Sequence, residues 1–140
     1  MSEEESTVPA EWYAIAERDL GACKTLLGDK DVFLPVAASL LQQAVEKYLK
    51  GYLISKGWPL RRIHQLDRLV ADLTKFEPDF AEFMPACVKI SAYYTEHRYT
   101  LHPASELTRS EVEESLKVAS SLIARIQSRA GTPPVSSAPS

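Results

Sequence analysis

VFLPVAASLLQQAVEKYLKGYLISK, residues 32–56, is the longest stretch of the chain with a helical pattern. Its apolar residues recur at steps of three and four: Val36, Ala37, Leu40, Leu41, Ala44, Val45, Tyr48, Leu49, Tyr52 and Leu53. They cover more than one side of a helix, so this segment is predicted to be the central helix of the fold, with neighbours on several sides. Pro35 fits its first turn, where no backbone N–H is needed, and Gly57 ends it. Leu40 and Ala44 are expected in the core.

The same periodicity predicts the other elements, and no stretch shows the sustained alternation of a strand. The first helix is expected over Pro9–Leu27, where one apolar stripe runs along the segment. A third helix should start near His64. A short turn from Asp79 should precede a helix over residues 85–94, because the two prolines in this part favour helix starts. Residues 97–107 are expected to form a loop.

The last helix carries signals for both of its ends. Thr108 and Glu111 have the spacing of a capping box, and Gly131 is the type of residue that ends a helix. Leu69, on the apolar stripe of the third helix, is expected in the core. Together the segments predict an all-α fold, an antiparallel up-and-down bundle of four or five helices.

The length of 140 residues is that of a single domain. We expect an acidic, flexible N-terminus over residues 1–8, a helical bundle over residues 9–130, and a disordered tail rich in proline and serine over residues 131–140. Hydrophobic residues make up 45% of the chain and charged residues 25%, which is ordinary for a soluble globular protein.

Composition also bounds the cellular setting and the chemistry. The acidic N-terminus lacks the basic segment of a signal peptide, and the longest apolar run, residues 32–41, is shorter than the ~20 residues that span a bilayer. A cytoplasmic protein without a membrane partner is therefore expected. Cys23 and Cys87 are interpreted as small buried hydrophobes. The three histidines and two cysteines show no ligand spacing, so no metal and no other cofactor is expected.

The net charge of −3 argues against bulk, non-specific nucleic-acid binding, but one stretch is locally basic. It contains Lys47, Lys50, Lys56, Arg61, Arg62 and Arg68. This local excess of positive charge fits either contact with phosphate or a solvated surface. His64 fits an anion site at a helix N-terminus together with Arg61 and Arg62. Equally, it fits a side chain that bonds an exposed backbone group at the helix start.

YYTEHRYTLHP, residues 93–103, concentrates polar and aromatic chemistry before the last helix. Cleavage of RNA through its own 2′-hydroxyl requires a base near neutral pKa and a cation beside the phosphate, and His102 and Arg98 are residues of these types. Tyr99 could stack on a base. Three interpretations stay open: a catalytic pair, a phosphate or ligand contact, and an inert loop.

Several segments resemble the HEPN family, the higher eukaryotes and prokaryotes nucleotide-binding domain. The strongest is residues 39–66, in which QAVEKYLK (residues 43–50) resembles the core of the family's second helix. HQL, residues 64–66, resembles the opening of the next helix. AERDLGACKTLL (residues 16–27) is similar to the family's first helix, and YYTEHRYT (residues 93–100) to the stretch before its last one.

The resemblance covers roughly residues 9–129 and implies a five-helix bundle, usually dimeric. Some members of the family are metal-independent ribonucleases, often toxins neutralised by a nucleotidyltransferase partner. Others lack the catalytic pair and act as binding or accessory modules. Ribonuclease members carry an arginine followed at a wider spacing by a histidine, whereas Arg98 and His102 have only three residues between them. The resemblance also implies that Glu46 and Lys50 border the cleft that faces the Arg98 loop, and the alternative is an exposed ion pair.

Three functions follow as hypotheses. The first is a nucleotide- or RNA-binding or accessory module, with Glu46, Lys50, His64 and the residues around Arg98 as ligand contacts. It would be paired with a small nucleotidyltransferase, as in toxin–antitoxin systems, and would form a homodimer. The second is a metal-independent endoribonuclease toxin that uses Arg98 and His102. The third is a purely structural, dimer-forming bundle. The short spacing of Arg98 and His102 favours the first over the second.

Overall fold

A computed structural model describes residues 5–93 and 107–131 of the chain. Within these residues the fold is all-α and contains no strand, as predicted from the sequence. Five α-helices and one 3-10 helix follow in this order: α1 (Pro9–Leu27), α2 (Leu34–Ser55), α3 (Leu66–Thr74), the 3-10 helix (Pro78–Phe83), α4 (Met84–Ser91) and α5 (Arg109–Ala130). None of the helices in this part of the chain combines the length and the apolar character that crossing a bilayer requires.

The helix bounds agree closely with the sequence pattern. α1 has the predicted ends, and α2 lies within the predicted residues 32–56 with Pro35 in its first turn. α3 begins at Leu66, slightly later than predicted, and the turn predicted from Asp79 is the 3-10 helix. α4 occupies Met84–Ser91 instead of residues 85–94, the last of which lies outside the described residues.

α2 is the central helix, as predicted, because it packs against α1, α3, α4 and α5. Its apolar side chains are buried on several sides, and Ala44 is fully inaccessible to solvent, as is Leu69 of α3. The prediction for Leu40 was wrong: this side chain is only partly buried, because it packs against the edge of the core.

Gly51 sets how closely α1 approaches α2. A Cβ atom at this position would lie 2.7 Å from Cε1 of Tyr13 and 3.0 Å from Cβ of Trp12. Real Cβ atoms essentially never come as close as the first of these contacts. The absence of a side chain at Gly51 therefore allows the two aromatic residues of α1 to lie directly on the backbone of α2.

Both predicted end signals of α5 are confirmed. The N–H of Glu111 donates to the side-chain oxygen of Thr108 at 3.1 Å, and the N–H of Thr108 donates to the Glu111 carboxylate at 3.0 Å. At the other end, Gly131 has a φ of 70°, a left-handed conformation that glycine adopts without strain.

Ion pairs fasten the C-terminal end of α5 to the middle of the chain. Arg129 donates to Glu77 at 2.8 Å and to Asp79 at 2.6 Å, and Lys56 lies 2.7 Å from Glu77. Tyr52 also donates to Glu77, at 2.7 Å. Burial alone would raise the pKa of the Glu77 carboxyl, but hydrogen bonds from Lys56 and Tyr52 outweigh it and lower this pKa.

Candidate functional site

One face of the central helix is polar although it is buried. Gln42, Glu46 and Lys50 are four positions apart, and this spacing places them above one another on the same side of a helix. Gln42 is 0% exposed, Glu46 6% and Lys50 1%. Charged side chains are almost never this deeply buried unless they are paired, so their partners decide what the face can do.

The Glu46 carboxylate is the centre of this cluster. Its Oε2 atom lies 3.0 Å from Nζ of Lys50 and 2.9 Å from Nδ1 of His64, and its Oε1 atom accepts from Nε2 of Gln42 at 3.1 Å. An ionised carboxylate only accepts hydrogen bonds, so Nδ1 of His64 carries the proton in this contact. The interpretation of Glu46 and Lys50 as an exposed ion pair is therefore wrong: the pair is buried and is joined by a histidine from outside the helix.

A pocket of about 390 Å³ opens beside the cluster. Its lining residues are Glu5, Ser6, Trp12, Ile15, Glu46, Lys47, Lys50 and His64. The Lys50 ammonium lies 5.6 Å from the centroid of the Trp12 ring, within the range of a cation–π contact. Lys47 lies 3.8 Å from Asp19 of α1 and is partly exposed. The pocket thus combines an indole ring, two ammonium groups, two carboxylates and an imidazole.

The locally basic stretch does not form one continuous positive surface. Three of its six bases are paired with acids: Lys47 with Asp19, Lys50 with Glu46, and Lys56 with Glu77. Arg61 and Arg62 are exposed, and neither forms an ion pair with a residue that the structure describes. They do not line the pocket, so the structure does not join them to His64 in one site.

Among the described residues, the side chain of His64 does not bond a backbone group at the start of α3 either. The N–H of Leu66, the first residue of α3, donates to Oγ of Ser91 at 2.6 Å. The His64 side chain turns instead to Glu46, and the His64 carbonyl accepts a longer bond of 3.4 Å from Gln42. The connector before α3 is thereby fixed to the polar face of α2, and the side chain of His64 stays 52% exposed at the pocket.

Three of the predicted site residues lie outside the described residues: Arg98 and His102, the predicted catalytic pair, and Tyr99. Their catalytic or ligand-binding roles stay predictions. The same holds for the expectation that Glu46 and Lys50 border a cleft facing the Arg98 loop.

Two residues of the cluster were missed by sequence reasoning. Gln42 was not singled out, although its position four residues before Glu46 could have indicated it. Its Oε1 atom is buried and accepts no hydrogen bond from any described residue. Trp12 is buried, and it also lines the pocket, which no local pattern could indicate.

Comparison with known proteins identifies the family of the chain. No curated protein and no solved structure is significantly similar to the chain. A family model does match, that of the HEPN domain, and the match covers residues 9–129. This range runs from the first residue of α1 almost to the end of α5 and includes every residue of the Glu46 cluster. The chain therefore belongs to the HEPN domain family.

Proposed function

We propose that the chain is a nucleotide- or RNA-binding module and that the pocket beside Glu46 and Lys50 is its ligand site. Membership of the HEPN family supports a nucleotide- or RNA-related role. The observation that carries the proposal is the convergence of Trp12, Glu46, Lys50 and His64 on one pocket. Its volume of about 390 Å³ lies in the range of small-molecule sites, ~300–1,000 Å³.

The chemistry of the pocket fits the parts of a nucleotide. An indole ring offers a surface for stacking a base, an interaction worth ~1–3 kcal/mol per base in single-stranded nucleic-acid binding. The carboxylate of Glu46 can accept from the exocyclic amine of a base, and Lys47 can donate to a phosphate. Because acids and bases are nearly balanced here, the pocket favours one small ligand or the end of a strand over the bulk backbone of a nucleic acid.

The test is calorimetric titration of the whole chain with AMP and with a short single-stranded RNA. Lys47→Gln removes a cation that lines the pocket, and Lys117→Gln makes the same change at an exposed position of α5. We expect Lys47→Gln to weaken AMP binding roughly threefold to tenfold, since one charge contact of about 1 kcal/mol is lost, and Lys117→Gln to leave it unchanged. The absence of binding by the wild-type chain, or equal behaviour of the two variants, would contradict the proposal.

The proposal also includes two binding partners, a nucleotidyltransferase and a second copy of this chain. A small nucleotidyltransferase encoded beside this chain is the partner that the family resemblance implies, as in a toxin–antitoxin system. For homodimer formation, the exposed apolar side chains at the start of α2 are a supporting feature: Phe33 is 55% exposed and Val36 44%. Sedimentation of the purified chain at high micromolar concentration distinguishes a dimer from a monomer.

The second candidate is a metal-independent endoribonuclease, and the specific feature in its favour is the presence of Arg98 and His102 in one short stretch. Such an enzyme would cleave RNA in the presence of EDTA and leave a cyclic phosphate. Replacing His102 with alanine would lower the rate ~10²–10⁴-fold, as for the loss of an acid–base group. If RNA is bound but not cleaved, the binding module is the correct function.

A further inference from the structure

The segment before α1 borders the pocket. Glu5 and Ser6 both line it, and Ser6 is the residue through which the segment is attached. The Trp12 indole N–H donates to the Ser6 carbonyl at 2.8 Å, while the Ser6 hydroxyl donates to Glu11 at 2.6 Å and accepts from the N–H of Val8 at 2.9 Å. The Val8 carbonyl also accepts from the N–H of Glu11 at 3.0 Å, where α1 begins. The attachment is therefore a few hydrogen bonds through Ser6 and Val8, without an apolar anchor: Val8 is 47% exposed.

The Glu5 carboxylate is only partly satisfied by the described part of the chain. One oxygen of its carboxylate is buried and accepts no hydrogen bond from the described part of the chain. Glu5 also makes no ion pair there, although Lys47 and Lys50 line the same pocket, because both lysines are already paired with other acids. The residue is half-buried, and burial of this one oxygen without a donor costs free energy that is recovered when the oxygen returns to water.

The segment also controls access to Trp12. The indole is only 7% exposed, and its N–H is occupied by the Ser6 carbonyl. Stacking of a base on this ring requires Ser6 to move away, and Glu5 moves with it. The ring surface and the space next to the two lysines would then open together.

From these observations we infer that residues 5–8 are an acidic strap that closes the pocket in the absence of a ligand, and that the phosphate group of a ligand displaces Glu5. The inference rests on the proposed function, because it concerns the same pocket. Glu5 has the same sign of charge as a phosphate and lines the same pocket as Lys47 and Lys50. The strap therefore selects for ligands whose phosphate interacts with these lysines better than a single carboxylate does.

The test compares AMP with adenosine, which lacks the phosphate, on the 140-residue chain and two variants of it. Glu5→Gln keeps the shape of the side chain but removes its charge, and Glu114→Gln makes the same change at an exposed position of α5, away from this pocket. We expect Glu5→Gln to bind AMP roughly fivefold more tightly, the effect of removing one like charge at a few ångström in a water-like dielectric. Adenosine affinity should change little, and Glu114→Gln should match the wild type with both ligands.

A second measurement follows the strap itself. With Trp58 replaced by phenylalanine, Trp12 is the only tryptophan. Ser6→Ala, which removes both bonds of the Ser6 hydroxyl, should increase quenching of Trp12 fluorescence by acrylamide in the absence of AMP because the strap is loosened. Saturation of Ser6→Ala with AMP should lower the quenching again, since a stacked base covers the ring. Quenching that Ser6→Ala does not change would count against the strap.

The possible outcomes separate this inference from the proposed function. If all three proteins bind AMP equally, the strap inference is overturned and the binding function stands. An equal gain for adenosine in Glu5→Gln overturns it as well, because charge competition with phosphate would then be absent. Tighter binding of AMP by Glu5→Gln than by the wild type, with adenosine affinity unchanged, supports the strap. If neither ligand binds any of the proteins, both the strap and the proposed function are overturned.

Discussion

Replacement of Lys50 with methionine tests whether the polar face of α2 is as buried as its geometry indicates. The Lys50 side chain is 2% exposed and that of Glu46 7%, so removal of one partner leaves a charge in a nearly dry environment. Breaking such a pair typically costs ~3–5 kcal/mol. Glu46 keeps two donors, Gln42 and His64, so we expect the lower end of this range, about 3 kcal/mol. Methionine retains the length of the stem, which limits the loss of packing.

Glu46→Gln, the converse change, should cost more. It leaves the buried Lys50 ammonium without its carboxylate and keeps only its contact with the Trp12 ring among those described for this ammonium, so we expect about 4–5 kcal/mol. The double variant should cost at least ~2 kcal/mol less than the sum of the two single changes, because the pair is in direct contact.

Urea unfolding followed by circular dichroism measures these differences as shifts of the midpoint at an unchanged slope. Lys75→Met is the matched control, because Lys75 is 77% exposed and pairs with Asp72 across one turn of helix at 3.7 Å. It should stay within ~0.5 kcal/mol of the wild type. If Lys50→Met is as mild as Lys75→Met, the pair is hydrated in solution and the burial argument is refuted.

Three further predictions concern other parts of the fold. Gly51→Ala should destabilise the protein by ~1–2 kcal/mol in urea unfolding, because overpacking exceeds the gain in helix propensity. Gly21 has open space around it, so Gly21→Ala should stabilise the protein by ~0.5–1 kcal/mol. The opposite order of the two variants would refute the close contact between α1 and α2. The folded pKa of Glu77 is lowered, so its contribution to stability is present above the ordinary carboxyl pKa of 4.5 and lost as the pH falls through the folded value. Glu77→Gln should therefore flatten the fall in stability below about pH 5, and an unchanged acid profile would speak against it. Burial raises the pKa of Cys23 to about 11 and of Cys87 to about 12, so both thiols should react with Ellman's reagent only on unfolding, and rapid labelling of the native chain would contradict this.

The sequence was sufficient for most of the fold because the signals for helices are local. Apolar periodicity placed α1 and α2 within two residues of their ends, and the capping box at Thr108 located the start of α5. The start of α3 lies two residues after the predicted His64, and the partner of its first backbone N–H is Ser91, a residue far along the chain. No local pattern could indicate that contact.

The site was predicted only in part for the same reason. The spacing of Glu46 and Lys50 showed that they share a helix face, but pairs with this spacing usually lie on the exposed side of a helix. What buries it here is the approach of Trp12 and His64 from other segments, and this is a tertiary effect. Arg98 and His102 are residue types that could cleave RNA, but they lie outside the described residues, so their arrangement stays a prediction.

The extensive packing of α1 on α2 has a consequence for how the protein folds. These helices are consecutive, and residues 28–33 are all that joins them, so their contacts are local in sequence. Local contacts form quickly because little chain entropy is lost in closing a short loop. Trp12, Glu46 and Lys50 all belong to this hairpin, so one wall of the pocket can be in place while the ribosome is still translating α5. Docking of α5 through Arg129 would then complete the bundle without rebuilding that wall.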